Sequence, residues 1–465
     1  MPPRLSVRRL FIGVLFWGGL LLFFTFCFGR VMWSAQQSTN NNNNNNAPIT
    51  ETPSQPSSQN KDAHQQSTFN TKGAQQQVYR KVSSHTPPPK LIKEPFPTEA
   101  NLIPQRKLWF FKNGDVYPRK SVGLSTLFPN ESPGDRIVDQ LMYIPDDYEG
   151  IDTPEKVILV YNGVRQWNKE TGPRTFDECP VNRCSLIDDQ SKAKDVDAVL
   201  YKDHFASTWA DRPPHQVWIL YYLECPYHTQ YVKVKDAINW TATYRRDSDI
   251  VAPYERWTYY DPDVRQMPQI IDYAANKTKK VAWFVSNCGA RNGRLEYARE
   301  LAKYIPVDIY GGCGPLKCPR SDKKCFELLD KEYKFYLAFE NSNCRDYITE
   351  KFYINGLSRN VLPIVMGAKP EDYERSAPQG SYIHVDEFAN PKELAAYLHR
   401  LDKDDDLYNS YFQWKGTGEF VNTYFWCRLC TMLHAPHTTQ RVYEDVDDWW
   451  RGPGVCTTKS WRNQP

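Results

Sequence analysis

Acidic, amide and basic side chains gather at the ends of apolar runs in several places, and each suggests a chemistry. The densest group is residues 334–351, KFYLAFENSNCRDYITEK. An apolar run reaches Phe339 and releases Glu340, Asn341 and Ser342, at the end where a buried α/β strand presents its site. Asp346, Thr349 and Glu350 then read as the start of a helix, with Asp346 a candidate cap and Glu350 near the positive end of the dipole. Ordinary helix initiation explains Asp346 equally well. Asn341, Glu350 and Lys351 point further, because a nucleotide-sugar needs polar groups for its hydroxyls and a cation for its diphosphate.

A second group, residues 281–294, is VAWFVSNCGARNGR. A strand turns through Ser286 and Asn287 into a loop holding Gly289 and Gly293, and a helix follows with Arg291 and Arg294 at its start. Helix N-terminal amides and a guanidinium fork make a diphosphate site; the alternative is a surface arginine at a helix start. The G-x-G-x-x-G dinucleotide fingerprint is missing here. In YRRDSDI, residues 244–250, Asp247 and Asp249 could hold a divalent ion, but Asp-x-Asp also starts at 195, 261 and 445. Pairing with Arg245 and Arg246 is the favoured reading.

Glu224 ends the apolar run 217–223 and precedes Cys225 and Pro226. An acid at the carboxyl end of a buried strand is placed to act as general base toward an acceptor hydroxyl, and it could equally be a plain strand-end acid. Cys427 and Cys430, with His434 and His437, offer two thiols and two imidazoles, but the gap between the pairs is far short of the ~12 residues of a zinc finger. Disulfide pairing of Cys427 and Cys430 is favoured over zinc or a redox role.

These groups need elements to position them. Candidate strands are 156–161, 198–202, 217–223, 281–285, 307–310, 335–339 and 362–366. Most are apolar throughout, as expected of parallel strands buried on both faces. Residues 292–304 and 392–402 carry amphipathic helix spacing. Strand–helix alternation predicts two doubly wound α/β units, 105–275 and 276–440, with a C-terminal tail at 441–465. The polar stretch 226–280 is read as their junction, and ligands are expected in the cleft between them.

The chain has 465 residues, 14 % of them aromatic, which suits surfaces that hold sugars. Its net charge is +3, yet Arg4, Arg8, Arg9 and Arg30 lie in an acid-free end, and without them the acids outnumber the bases. A body with no positive excess lacks the usual nucleic-acid footprint. Residues 10–28 are uncharged and meet the length of a membrane span. The arginines before it predict a cytoplasmic tail at 1–9 and a lumenal body, and a span is preferred to a cleaved signal peptide because no small-x-small site follows. Residues 29–104, rich in Asn, Gln, Ser, Thr and Pro, read as a disordered stem. Sequons at Asn130, Asn239 and Asn276 fit a lumenal body. Of 12 cysteines only Cys27 falls in the span, so the lumenal number is odd and at least one stays free or pairs between chains.

YRRDSDI, SNCGARNGR, KFYLAFENSNCRDYITEKFY and the terminal CRLC resemble the α1,3-fucosyltransferases of glycosyltransferase family 10, in particular the insect and plant enzymes of the N-glycan core. The resemblance spans roughly residues 130–445. It implies a GT-B fold, two Rossmann-like domains facing a cleft, on a single-pass type II Golgi anchor with the catalytic part lumenal. It implies inverting transfer of L-fucose from GDP-β-L-fucose, in α1,3 linkage, to the innermost GlcNAc of N-glycoproteins. The family's catalytic glutamate falls on Glu224, where antenna-type relatives have Ser in place of Cys225. Its donor residues fall on Arg294, Asn341, Tyr347, Glu350 and Lys351, with Tyr244 and Arg291 in the same set; Arg291 is more characteristic of the core-type enzymes. Similar enzymes require no metal strictly, although Mn²⁺ often stimulates them, so no metal ligands are assigned. Transfer to antennal GlcNAc, or a silent Golgi glycan-binding protein, are the competing expectations.

Overall fold

The computed structural model describes residues 89–92, 107–120, 127–129, 135–206, 211–319, 322–436 and 441–463. The expected tail, membrane span, Asn130 sequon and most of the stem lie outside them. Among the described residues no helix is long and apolar enough to cross a membrane. Residues 89–92, expected to belong to the disordered stem, instead dock on the body. The buried Gln413 accepts from the Ile92 amide at 2.6 Å and donates to the Lys90 carbonyl at 2.9 Å.

Two five-stranded parallel sheets form the core. The first comprises β1 (Lys156–Val160), β2 (Cys184–Ile187), β3 (Ala198–Lys202), β4 (Val217–Tyr222) and β5 (Trp240–Thr243), in the order β2-β1-β3-β4-β5. The second comprises β6 (Lys279–Phe284), β7 (Val307–Tyr310), β8 (Tyr333–Phe339), β9 (Leu362–Met366) and β10 (Ile383–His384), in the order β10-β9-β8-β6-β7. Read from the other edge, the second order repeats the first. In each sheet the crevice therefore opens at the carboxyl ends of the first and third strands, where the strand order reverses.

The apolar runs are continuous because both faces of each sheet are covered. In β4, Val217, Ile219 and Tyr221 enter one cluster while Trp218, Leu220 and Tyr222 enter another, the two-residue alternation of a strand. In the second sheet, helices α1 (Arg294–Leu301) and α2 (Pro391–Lys403) cover one face through Leu295, Ala298, Leu394 and Leu398. The first sheet departs from expectation. Its strands are joined by loops and short 3-10 turns such as Val164–Trp167 and Pro173–Phe176 rather than by α-helices.

The helical cover comes instead from the far end of the chain. Helix α3 (Phe425–His434) lays Trp426, Leu429, Met432 and Leu433 on one face, and α4 (Val446–Arg451) lays Val446 and Trp450 on the other. Disulfides Cys179–Cys427 and Cys184–Cys430 fix α3 there. The expected boundary at 440 is thus corrected, since 425–434 belongs with the first sheet. Residues 226–280 are likewise more than a junction, because β5 is the edge strand of that sheet. Trp240 and Ala242 pack in its core, and the hydroxyls of Thr241 and Thr243 are satisfied by Asp249 and Ser248.

Among the described residues the cysteines form five disulfides, adding Cys288–Cys313, Cys318–Cys325 and Cys344–Cys456, with Cys225 free and buried. Cys427 and Cys430 pair with distant cysteines, not with each other, because three residues apart on a helix they share one face toward β2. His434 Nε2 lies 2.9 Å from the Arg183 carbonyl, and His437 is outside the described residues.

Candidate active site

Glu224 leaves the end of β4 two residues after Tyr222. The Tyr254 hydroxyl holds the preceding carbonyl, Leu223, at 2.8 Å. Pro226 then starts the 3-10 turn Pro226–His228, its fixed φ suiting a first helical position. Beyond the turn, α4 clamps the loop: Trp450 Nε1 donates to Thr229 Oγ1 at 2.8 Å, and Arg451 donates to the Thr229 and Gln230 carbonyls at 2.7 Å each. The Glu224 side chain, 44 % exposed, is therefore mounted on a rigid loop and open to solvent.

The second sheet reaches across to meet it. Glu224 Oε1 accepts from the Tyr347 hydroxyl at 2.7 Å, from Asn341 Nδ2 at 3.1 Å and from the Cys225 amide at 2.8 Å. Burial alone would push this carboxyl up. The three hydrogen bonds, with His228 nearby, outweigh that cost and hold it below its ordinary value. At neutral pH the group is a carboxylate, the proton-accepting form.

Asn341 and Tyr347 belong to the loop 340–351, which is closed on itself by a buried acid. Glu340 is fully buried at the end of β8; it accepts from the Thr349 amide and hydroxyl at 2.8 Å each and pairs with Lys351 Nζ at 3.1 Å. Burial raises the Glu340 carboxyl, opposed by Lys351. Lys351 also meets Glu350 Oε1 at 3.1 Å. Burial would lower its ammonium, but Glu340 and Glu350 outweigh this and hold it above its ordinary value. Gly367 is required behind this acid, since a Cβ there would lie 2.5 Å from Glu340 Cγ. Thr349, not Asp346, caps the short helix Glu350–Phe352. Asp346 sits at φ 57°, buried, its carboxylate accepting from the Arg246 amide at 3.1 Å, and burial and Asp372 push it up to about 6.

At the crevice of the second sheet the loop 286–293 leads into α1, with Gly293 at φ 70° supplying the left-handed turn before Arg294. Arg294 is 3 % exposed and donates to the Phe339 carbonyl at 2.9 Å and the Asn287 carbonyl at 2.8 Å. Asn292 donates to the Glu340 carbonyl at 3.0 Å. Arg294 Nε, Asn292 Oδ1 and Asn341 Oδ1 are buried without a hydrogen-bond partner. All three lie beside residues 339–341, at the carboxyl end of β8.

Most of the expected site residues thus converge. Glu224, Asn341 and Tyr347 touch, Glu350 and Lys351 adjoin them in the loop, and Arg294 braces the crevice. Arg291 is exposed, its guanidinium 5.9 Å from the centre of the Tyr227 ring. Tyr244 differs from expectation. It is buried among Tyr347 and Trp450, ring centres 5.0 and 5.4 Å away, and its hydroxyl has no partner. It backs Tyr347. Glu340, Thr349 and Asn292 were not foreseen as site residues; the only sequence signal was their position at a strand or helix terminus.

The two acids of Asp-x-Asp are spent internally. Asp247 takes both Arg245 Nε at 2.9 Å and Nη2 at 2.6 Å, while buried Asp249 accepts from the Thr241 amide and the Tyr443 hydroxyl at 2.9 Å each. The sequons also divide. Asn276 is exposed on a turn at φ 63°. Asn239 is corrected: it is 4 % exposed, its Oδ1 taken by the Trp218 amide and Arg212, and its Nδ2 by the Arg441 carbonyl. A glycan on that nitrogen has no room in the folded chain.

Residues 153–255 match the family described as fucosyltransferase, N-terminal, and residues 274–449 match glycosyltransferase family 10 (fucosyltransferase), C-terminal. Glycoprotein 3-alpha-L-fucosyltransferase A of Drosophila melanogaster is 62 % identical over 380 residues, covering 77 % of this chain and 76 % of that protein. Alpha-(1,3)-fucosyltransferase C of the same organism is 36 % identical over 304 residues, 58 % of this chain and 70 % of its own. A crystal structure of an alpha1,3-fucosyltransferase with GDP-fucose covers 67 % of this chain and 98 % of its own, at 16 % identity and a TM-score of 0.43, too distant to bear on the site.

Proposed function

Because the chain belongs to glycosyltransferase family 10 and is a fucosyltransferase, we propose that Glu224 is its general base and that the crevice at the carboxyl end of β8 is its donor side. The donor of this reading is GDP-β-L-fucose, and the acceptor is O3 of the asparagine-linked GlcNAc of N-glycoproteins. The 62 % identity to a glycoprotein 3-alpha-L-fucosyltransferase supports the core acceptor. The observation that carries the reading is the 2.7 Å contact of Glu224 with Tyr347, which sets the base directly against the loop of Glu350 and Lys351.

In the proposed reaction the Glu224 carboxylate takes the proton from the acceptor hydroxyl. That oxygen attacks the fucose anomeric carbon from the face opposite GDP, the bond to the β-phosphate oxygen breaks, and β becomes α in one displacement. Negative charge grows on the leaving diphosphate, so Lys351, already fixed by Glu340, stabilises mainly the transition state. Arg294 shapes the same crevice, and its buried Nε is the group that a bound phosphate would satisfy. Mn²⁺ enters only as a stimulant, with no ligands assigned.

The two repeated sheet orders support a GT-B architecture, and the charge and composition of residues 1–104 support a single-pass type II Golgi membrane protein with its catalytic body lumenal. The test is transfer from GDP-fucose to defined N-glycans with and without free antennal LacNAc, followed by linkage analysis. Fucose on O3 of the innermost GlcNAc is expected; product on antennal GlcNAc alone would overturn the core acceptor.

A further inference from the structure

Immediately beside the base lie two residues, Cys225 and His228, that the transfer reaction does not use, and with Glu224 they form a cluster of possible metal ligands. Glu224, Cys225 and His228 each bring one donor atom to a common point, all within 4.8 Å of one another. Cys225 Sγ is 3.2 Å from His228 Nδ1, and Nδ1 is 3.8 Å from Glu224 Oε1. Zinc bonds of ~2.3 Å to sulfur and ~2.0–2.1 Å to nitrogen or oxygen, at tetrahedral angles, separate such ligands by roughly 3.3–3.6 Å. The thiol–imidazole and imidazole–carboxylate separations bracket that range, and the thiol and carboxylate lie within 4.8 Å of each other.

We propose that Glu224, Cys225 and His228 bind a zinc ion, and that zinc held there blocks transfer by occupying the base. The inhibitory part rests on the reading of Glu224 as base; the binding part does not. The donor set of carboxylate, thiol and imidazole suits zinc and disfavours magnesium, calcium and manganese, which prefer oxygen. Cys225 is the free cysteine among the described residues of a body otherwise cross-linked by disulfides, so its sulfur remains a ligand atom. The comparable cluster of Cys184, Cys430 and His434 has lost this capacity, since both its cysteines are oxidised.

The thiol and imidazole already stand together and the site is accessible, while Glu224 Oε1 joins them by giving up its Tyr347 and Asn341 donors. All three residues lie on one short turn held by Pro226 and by the clamp from α4, and Ser342 Oγ, 3.0 Å away, fixes the thiol. Cys225 forms the buried floor, while the Glu224 and His228 side chains are 44 % and 40 % exposed. Three protein ligands leave a fourth position for water, the arrangement of an open zinc site. Binding replaces the thiol proton with the metal and releases that proton to solvent. Glu224 Oε1 then exchanges its Tyr347 and Asn341 hydrogen bonds for the metal, and the ion's positive charge lowers the basicity of the carboxylate that would take the acceptor proton.

The test uses the full chain in detergent, with zinc chloride in a non-chelating buffer. Equilibrium dialysis is expected to find one zinc that is lost in both Cys225→Ser and His228→Asn. Transfer should fall along a one-site curve, recover on adding EDTA, and need at least about tenfold more zinc for half-inhibition in either variant. Metal-free transfer by the variants reports whether they fold, and dialysis reads the site even if they do not turn over. Unchanged stoichiometry in both variants overturns the site. Zinc that binds there without inhibiting overturns the inhibitory role, and Glu224→Gln with full activity would remove the base reading while leaving zinc binding to be judged separately by dialysis.

Discussion

The Tyr347 hydroxyl, carried on the second sheet's loop, donates at 2.7 Å to the Glu224 carboxylate at the end of the first sheet's β4. With Asn341 it makes the position and ionisation of Glu224, the proposed base, depend on the loop of the second sheet.

Replacing Glu224 by Gln keeps the shape and the neighbours but removes the proton acceptor. Transfer is expected to fall by ~10²–10⁴-fold, the usual contribution of a positioned base, while binding of GDP-fucose measured by calorimetry stays close to wild type. Wild-type turnover would end the assignment.

Tyr347→Phe removes one of the bonds that hold the Glu224 carboxyl below its ordinary value. The base works as the carboxylate, so activity is lost as pH falls through its pKa. A weaker hold raises that pKa, and the acidic limb of kcat/KM should move to higher pH. Asn341→Ala should move it the same way by less, its contact being the longer one. A purely structural role for Tyr347 would lower activity equally at all pH values.

Lys351→Met leaves Glu340 buried and unpaired. Such a loss costs ~3–5 kcal/mol, so the melting temperature should drop as well as transfer. Adding Glu340→Gln neutralises the stranded charge and should restore much of the stability without restoring activity. Recovery of activity in the double variant would show that Lys351 serves the fold alone.

Cys184→Ala with Cys430→Ala opens a closure of sequence separation 246 that ties α3 to the first sheet. A loss of about 2–5 kcal/mol is expected. Because α3 replaces the crossover helices that this sheet lacks, hydrogen exchange should rise in β1 and β2 before it rises in the second sheet. Uniform destabilisation would contradict that division.

Asn276→Gln should remove one glycan by mass spectrometry of a secreted or microsomal preparation. Asn239→Gln should remove none. It should instead destabilise by about 1–3 kcal/mol, as the Trp218 amide and Arg212 lose their acceptor.

Much of the fold was legible along the chain, for reasons particular to each element. β4 and β8 are buried on both faces, so their residues are apolar except Lys334, whose ammonium pairs with Asp402 and Asp405, and their polar continuations, Glu224 and Glu340 onward, stood out at the strand ends. β5, with the sequence WTAT, was not legible: its threonines are buried only because Asp249 and Ser248, several residues later, satisfy them. The helical cover of the first sheet was hidden for a related reason, since it comes from a distant stretch tied back by disulfides of sequence separation 248 and 246.

By itself the sequence determined the parallel α/β architecture, the odd cysteine, the family and the list of polar residues that could handle a sugar nucleotide, because burial pattern, parity and motif are properties of local order. Only the tertiary structure decided which of those residues meet. It turned Tyr347 and Asn341 onto Glu224, sent Arg294 and Tyr244 inward, and left Cys225 as the unpaired thiol among the described residues. Those outcomes depend on contacts between distant segments, where the gain from burying a pair or satisfying a carbonyl is set by the whole packed chain and not by the neighbours in sequence.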